Sequence, residues 1–307
     1  MASTDIRIRI LVDNKAGEGL VEEHGFSAWI EVNGHRILFD TGQGGALAHN
    51  ADMLGYDLRQ IDKLVLSHGH YDHCGAVAEV VQTAPAARIF CHSNCFLPRY
   101  SIRSGEEPRS IAMPFSIGKA LFDVPDNRVQ WVTRPRMIES NVGISGPIAR
   151  LHPMEDTGGP FFLDPEGRHP DPIRDDMAMW ITTDRGLVII TGCCHAGLLN
   201  TVEHIRNVSG VEKILGIIGG LHLANASHDR LETTCSALRG WNPEFVIPCH
   251  CTGEEAQLFL RVALGARVTP GYAGFELNSN NIPEAMRHVS NAEYNHISGL
   301  TFTKDSK

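Results

Sequence analysis

Long apolar runs are missing from this chain of 307 residues, and none approaches the roughly 20 residues that a membrane helix needs. The opening segment, Met1-Ala2-Ser3-Thr4-Asp5-Ile6-Arg7-Ile8-Arg9-Ile10, has no apolar core of the kind a secretory signal carries. From these two absences we expect a soluble, cytoplasmic protein with no membrane partner. Basic residues are outnumbered, 27 Lys and Arg against 36 Asp and Glu, which gives a formal charge of -9. Affinity for nucleic acid comes mostly from Lys and Arg neutralising phosphates, so no nucleic-acid partner is expected. Neither a low-complexity segment nor an internal sequence repeat is found. A disulfide scaffold is also lacking. Of the eight cysteines, Cys193, Cys194, Cys249 and Cys251 crowd around two histidines, and Cys74 follows a third cluster of them. In a reducing compartment such thiols are small packing residues or neighbours of a metal.

What remains is ordinary globular composition, 42% hydrophobic and 21% charged. That length permits one large α/β domain or two small ones, with a sizeable core. The chain is organised around Ser67-His68-Gly69-His70-Tyr71-Asp72-His73-Cys74-Gly75. The apolar run Leu64-Val65-Leu66 before it reads as a buried strand. Gly69 allows a sharp turn, and Ala76-Val77-Ala78-Glu79-Val80-Val81 reads as the helix that follows. His68, His70, Asp72 and His73 therefore stand on a strand-to-helix loop, where side chains converge. Imidazole nitrogen with carboxylate oxygen suits zinc, with iron or manganese as competitors. Four such groups exceed one ion's usual share from a single loop, so two adjacent divalent metals are expected.

The same grammar recurs twice. Leu187-Val188-Ile189-Ile190 feeds Thr191-Gly192-Cys193-Cys194-His195, and Phe245-Val246-Ile247 feeds Pro248-Cys249-His250. His195 and His250 are thus the fifth and sixth candidate ligands, and all three loops would open on one edge of the sheets. His222, after Ile217-Ile218-Gly219-Gly220-Leu221, is a candidate general acid, substrate contact or seventh ligand, against a reading as a hydrogen-bonded structural histidine. Asp72 and His222 are the candidate catalytic side chains. Asp175 and Asp176 either order the site loops or simply begin a strand. His24, His35, His49 and the remaining histidines have no comparable context.

Elsewhere, Ile6–Val12 alternates as a strand with one buried face. Residues 26–32 and 36–39 form a hairpin about Asn33-Gly34, and a helix runs to Leu54. Residues 88–91 read as a parallel strand. Strands follow at 142–150, 178–182, 187–190, 213–218 and 245–247, and helices at about 197–208, 229–239 and 254–264. From about 93 to 140 prolines punctuate a weak pattern, read as a cap inserted into the core, with a second insertion at 152–175. Arg99, Tyr100, Arg103 and Arg109 lie in the first. They are either a solvated loop or a cap holding an anionic substrate group through guanidinium. The segment from about 275 to 307 is expected to be peripheral, with a helix near 283–290.

His68-x-His70-x-Asp72-His73 resembles the signature of the metallo-β-lactamase superfamily, and Ile37-Leu38-Phe39-Asp40-Thr41-Gly42 resembles that superfamily's early strand and loop. Thr191-Gly192-Cys193-Cys194-His195-Ala196-Gly197, Gly219-Gly220-Leu221-His222-Leu223 and Pro248-Cys249-His250-Cys251-Thr252-Gly253 resemble a narrower branch, the dihydropterin ribofuranosylaminobenzene phosphate synthase-like proteins. The resemblance implies an α/β (α+β) fold, the four-layer αβ/βα sandwich, as a single domain over 1–307. It implies one metal on His68, His70 and His195 and another on Asp72, His73 and His250, with Asp40 orienting a ligand histidine. A water between two such cations would be the nucleophile. One departure stands out: many hydrolytic members carry an aspartate bridging both metals where this chain has Cys193. Either Cys193 or Cys194 substitutes as a thiolate, or both are packing residues. The implied function is hydrolysis of a small-molecule ester, lactone, amide or phosphoester. The alternative is a transferase joining a pterin diphosphate to an aminobenzene ribosyl phosphate, and a third reading is a metal-binding sensor without turnover. Oligomeric state is left open.

Overall fold

The computed structural model describes residues 4–279. In chain order its strands are β1 (Ile6–Val12), β2 (Ser27–Val32), β3 (His35–Phe39), β4 (Lys63–Val65), β5 (Arg88–Cys91), β6 (Tyr100–Ser101), β7 (Arg109–Ser110), β8 (Val129–Trp131), β9 (Arg136–Glu139), β10 (Val142–Ile144), β11 (Phe161–Phe162), β12 (Ala178–Thr183), β13 (Gly186–Thr191), β14 (Ile214–Gly220), β15 (Phe245–Cys249) and β16 (Glu276–Asn278). The α-helices are α1 (Leu47–Met53), α2 (Tyr71–Cys74), α3 (Val77–Thr83), α4 (Phe115–Phe122), α5 (Leu198–Ser209), α6 (His228–Trp241) and α7 (Glu254–Leu264).

Two sheets carry the fold. The first has seven strands in the order β16-β1-β2-β3-β4-β5-β8, antiparallel up to β3 and parallel from β3 onward. The second has six, in the order β15-β14-β13-β12-β10-β9, with β13, β14 and β15 parallel. Period-two alternation explains how they pack. Ile37 and Phe39 of β3 face one way, into a core shared with Met179 and Ile181 of β12 and Val188 and Ile190 of β13. Leu38 faces the other way, towards Leu47 of α1 and Val77 and Val80 of α3. On the second sheet Trp180, Leu187 and Ile189 face outward against Val202 of α5, Leu238 of α6 and Leu260 of α7. Helix, sheet, sheet, helix is the four-layer αβ/βα sandwich.

Local chemistry sets the helix ends. Ser227 caps α6 by accepting the Arg230 N–H at 3.2 Å, and Asn242 ends it in the left-handed region at φ 53°. The N-terminus of α5 has no cap of its own. Its Leu199 and Asn200 N–H groups donate to the Glu155 carboxylate at 2.7 and 2.8 Å, which ties the second insertion to the core.

Two boundaries differ from the sequence reading. The segment 93–140 is not one cap: α4 packs in the helix layer beside α3, β8 extends the first sheet, and β9 opens the second. The added layer is instead a small sheet, β11-β6-β7, built jointly from residues 100–110 and 161–162. Short β8, and a short α4 flanked by Pro114 and Pro125, left too little periodicity to be read as core. Nor is the chain peripheral from 275. Phe275 is buried in the shared core and β16 pairs with β1. The helix expected near 283–290 lies outside the described residues. Among the described residues no helix is long and apolar enough to cross a membrane.

Candidate metal centre

Parallel strands deliver their C-terminal ends to one edge, and the candidate ligands follow such ends, with Asp72 and His73 further on in the short helix α2. The β4 edge carries Ser67 to His70, β13 carries Cys193 to His195, β14 leads to His222 and β15 to His250. The backbone is held in the left-handed region at Asp40 (φ 59°), Cys194 (61°), His222 (46°) and His250 (48°). Non-glycine residues bear that cost where the surroundings enforce it, most often at functional sites. Gly69 is required sterically, because a Cβ there would meet the Cys95 carbonyl oxygen at 2.2 Å.

His68, His70 and His195 form the first group. Their ring centroids lie 4.4 to 4.9 Å apart, and one nitrogen of each lies within 4.8 Å of the others. The tautomers follow from the partners. His195 Nδ1 is 2.8 Å from the Thr157 carbonyl, which can only accept. Ser67 Oγ spends its proton on Asp40 Oδ2 at 2.6 Å, so it accepts from His68 Nδ1 at 2.9 Å. Nε2 of both rings is then a lone pair. Burial holds all three imidazoles well below their ordinary range, so they are neutral. Their Nε2 atoms are buried without any hydrogen-bond partner. Buried polar atoms are ordinarily paired. Three convergent, unpaired imidazole nitrogens are the donor set a divalent cation takes.

His73 and His250 head the second group, with Nε2 atoms 3.1 Å apart. His73 donates from Nδ1 to Asp40 Oδ2 at 2.7 Å, and His250 from Nδ1 to Asn14 Oδ1 at 2.9 Å. Two lone pairs facing each other repel unless a proton or a cation lies between them. Burial disfavours the charged form of His73, but the Asp40 and Asp72 carboxylates outweigh it and push the ring up to about 9. Burial holds His250 down to about 4. Cys193 Sγ is 3.1 Å from His73 Nε2, and Asp72 Oδ2 is 3.5 Å from His250 Nε2 and 3.9 Å from His73 Nε2. Asp40 accepts from the Ser67 N–H, the Ser67 hydroxyl and His73 together, so one carboxylate orients histidines of both groups.

His222 lies against the first group, its ring centroid 4.3 Å from that of His195, with Nδ1 buried and unpaired. The two adjacent cysteines diverge. Cys193 lies in the site, whereas Cys194 is 3.4 Å from Thr201 Oγ1 and packs under the helix layer. A cavity of about 310 Å³ opens over the centre, and Arg103 and Arg109 line it. Arg109 donates to the Tyr71 hydroxyl at 2.5 Å and stacks over that ring. Tyr100 is half-buried in β6 and does not line this cavity.

Arg99 corrects the sequence reading. It is fully buried, bonded to both Asp175 carboxylate oxygens, and its Nε lies 2.9 Å from Asp171 Oδ2, off the N–H axis. It is an internal ion-pair residue and has no access to a substrate. Asp175 also accepts the Gly69 N–H at 2.9 Å, and Asp176 accepts the Ala196 N–H at 2.7 Å, so both aspartates order the ligand loops.

Other residues at the centre escaped the sequence reading. His24 Nε2 is 3.2 Å from Asp72 Oδ2 and lines the cavity. Asp13 Oδ1 accepts the His250 N–H at 2.8 Å, beside Asn14. Phe161 packs against His70, His195 and His222. Asp13 and Asn14 do follow the end of β1, the same signal that marked the histidines; His24 and Phe161 carry no such signal.

A family model described as the metallo-beta-lactamase superfamily matches residues 20–175. An uncharacterized protein of Methanocaldococcus jannaschii is 32% identical over 250 residues, covering 81% of this chain and 91% of that protein. A second protein of that organism, named 7,8-dihydropterin-6-methyl-4-(beta-D-ribofuranosyl)-aminobenzene-5'-phosphate synthase, is 29% identical over 272 residues, covering 82% and 90%. A solved structure described as a metal-dependent hydrolase of the beta-lactamase superfamily matches with TM-score 0.75 and 30% identity, over 89% of this chain and 98% of its own. A metallo-beta-lactamase fold protein from Bacillus subtilis, at TM-score 0.54 and 12% identity over 90% and 99%, shares the fold.

Proposed function

The chain belongs to the metallo-β-lactamase superfamily, and from that premise we propose that it is a metal-dependent hydrolase of a small anionic ester, lactone, amide or phosphoester. The observation that carries this reading is the set of buried, unpaired Nε2 atoms on His68, His70 and His195. We assign a first cation to these three and a second to Asp72, His73 and His250. Divalent cations held there, zinc before manganese or iron, would supply Lewis acidity towards a water and towards the carbonyl or phosphoryl oxygen of the substrate.

The chain's own side chains do the rest. Asp40, Ser67, Asn14 and the Thr157 carbonyl fix ring tautomers so that lone pairs face inward. Asp72, held beside His24, would orient the attacking water by accepting its hydrogen bond. His222, on the cavity wall, is placed to protonate the leaving group. Phe161 keeps bulk water from the first group. Arg103 and Arg109, at the mouth, hold the anionic end of the substrate. The eight free cysteines agree with a reducing, cytoplasmic setting.

A second reading has its own support. A relative 29% identical over most of both chains is named as a synthase, and Cys193 stands where many hydrolytic members carry a bridging aspartate. Metal-loaded protein assayed on a panel of esters, lactones and phosphoesters, and separately on a dihydropterin diphosphate with an aminobenzene ribosyl phosphate, separates the two. Turnover in the first panel that disappears in His222→Ala and with chelator supports hydrolysis. Product from the second pair with no hydrolysis refutes it in favour of transfer.

A further inference from the structure

Six of the eight cysteines pack inside the three apolar clusters of the core: Cys249 between the sheets, Cys74, Cys91 and Cys95 under the first helix layer, Cys194 and Cys235 under the second. Cys193 and Cys251 are in none of them. Both line the cavity over the candidate metal centre, with Cys251 half-buried. A thiol that served only as a small apolar filler would be found with the other six.

Their placement relative to the histidines is specific. Cys193 Sγ lies within 4.8 Å of ligand atoms in three sets: with His68 and His73, with His195 and His222, and with His250 and Cys251. It therefore sits between the two groups described above. Cys251 is grouped with His250, and its thiol also reaches His222. Donors on one zinc lie about 2.3 Å (sulfur) or about 2.0 Å (nitrogen) from the ion, so atoms sharing it stand roughly 3 to 4.5 Å from one another. The spacing of Cys193, His250 and Cys251 is compatible with one shared ion. The backbone makes room for the second sulfur: a Cβ at Gly220 would lie 2.6 Å from Cys251 Sγ and 2.4 Å from the Gly192 carbonyl oxygen. A side chain at 220 would displace Cys251 from its place beside Cys193.

We propose that the second cation position is a thiolate site, in which Cys193 ligates from between the two positions and Cys251 supplies a further sulfur beside His73 and His250. This rests on the metal reading of the preceding section. Each thiol gives up its proton to solvent as the cation binds. Two sulfurs make the position soft, so it selects zinc over manganese or magnesium, which favour oxygen donors. They also account for the missing carboxylate, since a bridging thiolate brings the same charge.

Cobalt(II) tests this without reference to turnover, because sulfur ligation gives cobalt an intense near-ultraviolet charge-transfer absorption that nitrogen and oxygen donors do not. Apoprotein loaded with cobalt should hold about two equivalents and show that band. Cys251→Ser should lose about half of the absorption, one of two thiolates being gone, and Cys193→Ser with Cys251→Ser should lose it all. Cys235→Ser, buried under the helix layer, serves as the folding control and should leave the band unchanged. A band insensitive to Cys251→Ser while both cobalts stay bound overturns the proposal, as does a wild-type chain with two cobalts and no band. Less than one cobalt on the wild-type chain removes the underlying metal reading and this inference with it.

Discussion

Arg99→Met isolates the buried ion-pair network that supports the ligand loop. The Arg99 and Asp175 side chains are 0% exposed and that of Asp171 2%, so removing the guanidinium strands two carboxylates in the interior. Breaking a buried pair from one side costs about 3–5 kcal/mol, a large part of the roughly 5–15 kcal/mol that holds an average domain together. The cost should fall if Asp175→Asn is made as well, because the amide oxygen still accepts the Gly69 N–H while the stranded charge is gone. A double-mutant cycle should therefore return a coupling near the upper end of about 0.5–3 kcal/mol. Urea unfolding followed by circular dichroism measures all three variants. Arg99→Met within about 0.5 kcal/mol of the parent, as expected of an exposed site, combined with a raised KM, would refute the reasoning and return Arg99 to the substrate.

Arg109→Ala should behave oppositely, changing stability by less than about 0.5 kcal/mol while raising KM for an anionic substrate about tenfold with kcat little changed. Gly192→Ala should destabilise by about 1–3 kcal/mol, because its Cβ would meet Ser67 Oγ at 2.2 Å and Asp40 Oδ2 at 2.7 Å; thermal unfolding reads the loss, and zinc affinity should drop with it. Metal loading should release protons at neutral pH. His73 is pushed up to about 9 by Asp40 and Asp72, so it is protonated in the metal-free chain below that pH and must give up its proton to ligate. Apparent affinity should rise with pH up to about 9, and calorimetry in buffers of different ionisation enthalpy should count the protons; affinity independent of pH between 6 and 9, where about three decades of proton competition are expected, would contradict the assignment of His73.

The parts of the fold written in local periodicity were legible. The alternation Ile6-Arg7-Ile8-Arg9-Ile10 marks β1, and the apolar runs that lead into histidine-bearing loops mark β4, β13 and β15, which places His68, His195 and His250 on one edge. What was not legible depends on contacts between distant parts of the chain. Asn14 meets His250 across 236 positions and Thr157 meets His195 across 38, and no local pattern announces either. Arg99 looks in sequence like Arg103 and Arg109; only folding buries it against Asp171 and Asp175 and leaves the other two at the cavity mouth. Cys193 and Cys194 likewise look alike in sequence; only the fold puts one in the site and the other under the helix layer.

Metal content per chain tests the central claim most directly, measured by elemental analysis on the purified protein and on His195→Ala. The account predicts about two equivalents of zinc on the wild-type chain, with the first position emptied when His195 is removed and the second retained. One equivalent or fewer, unchanged by His195→Ala, would contradict the ligand assignment on which the proposed chemistry depends.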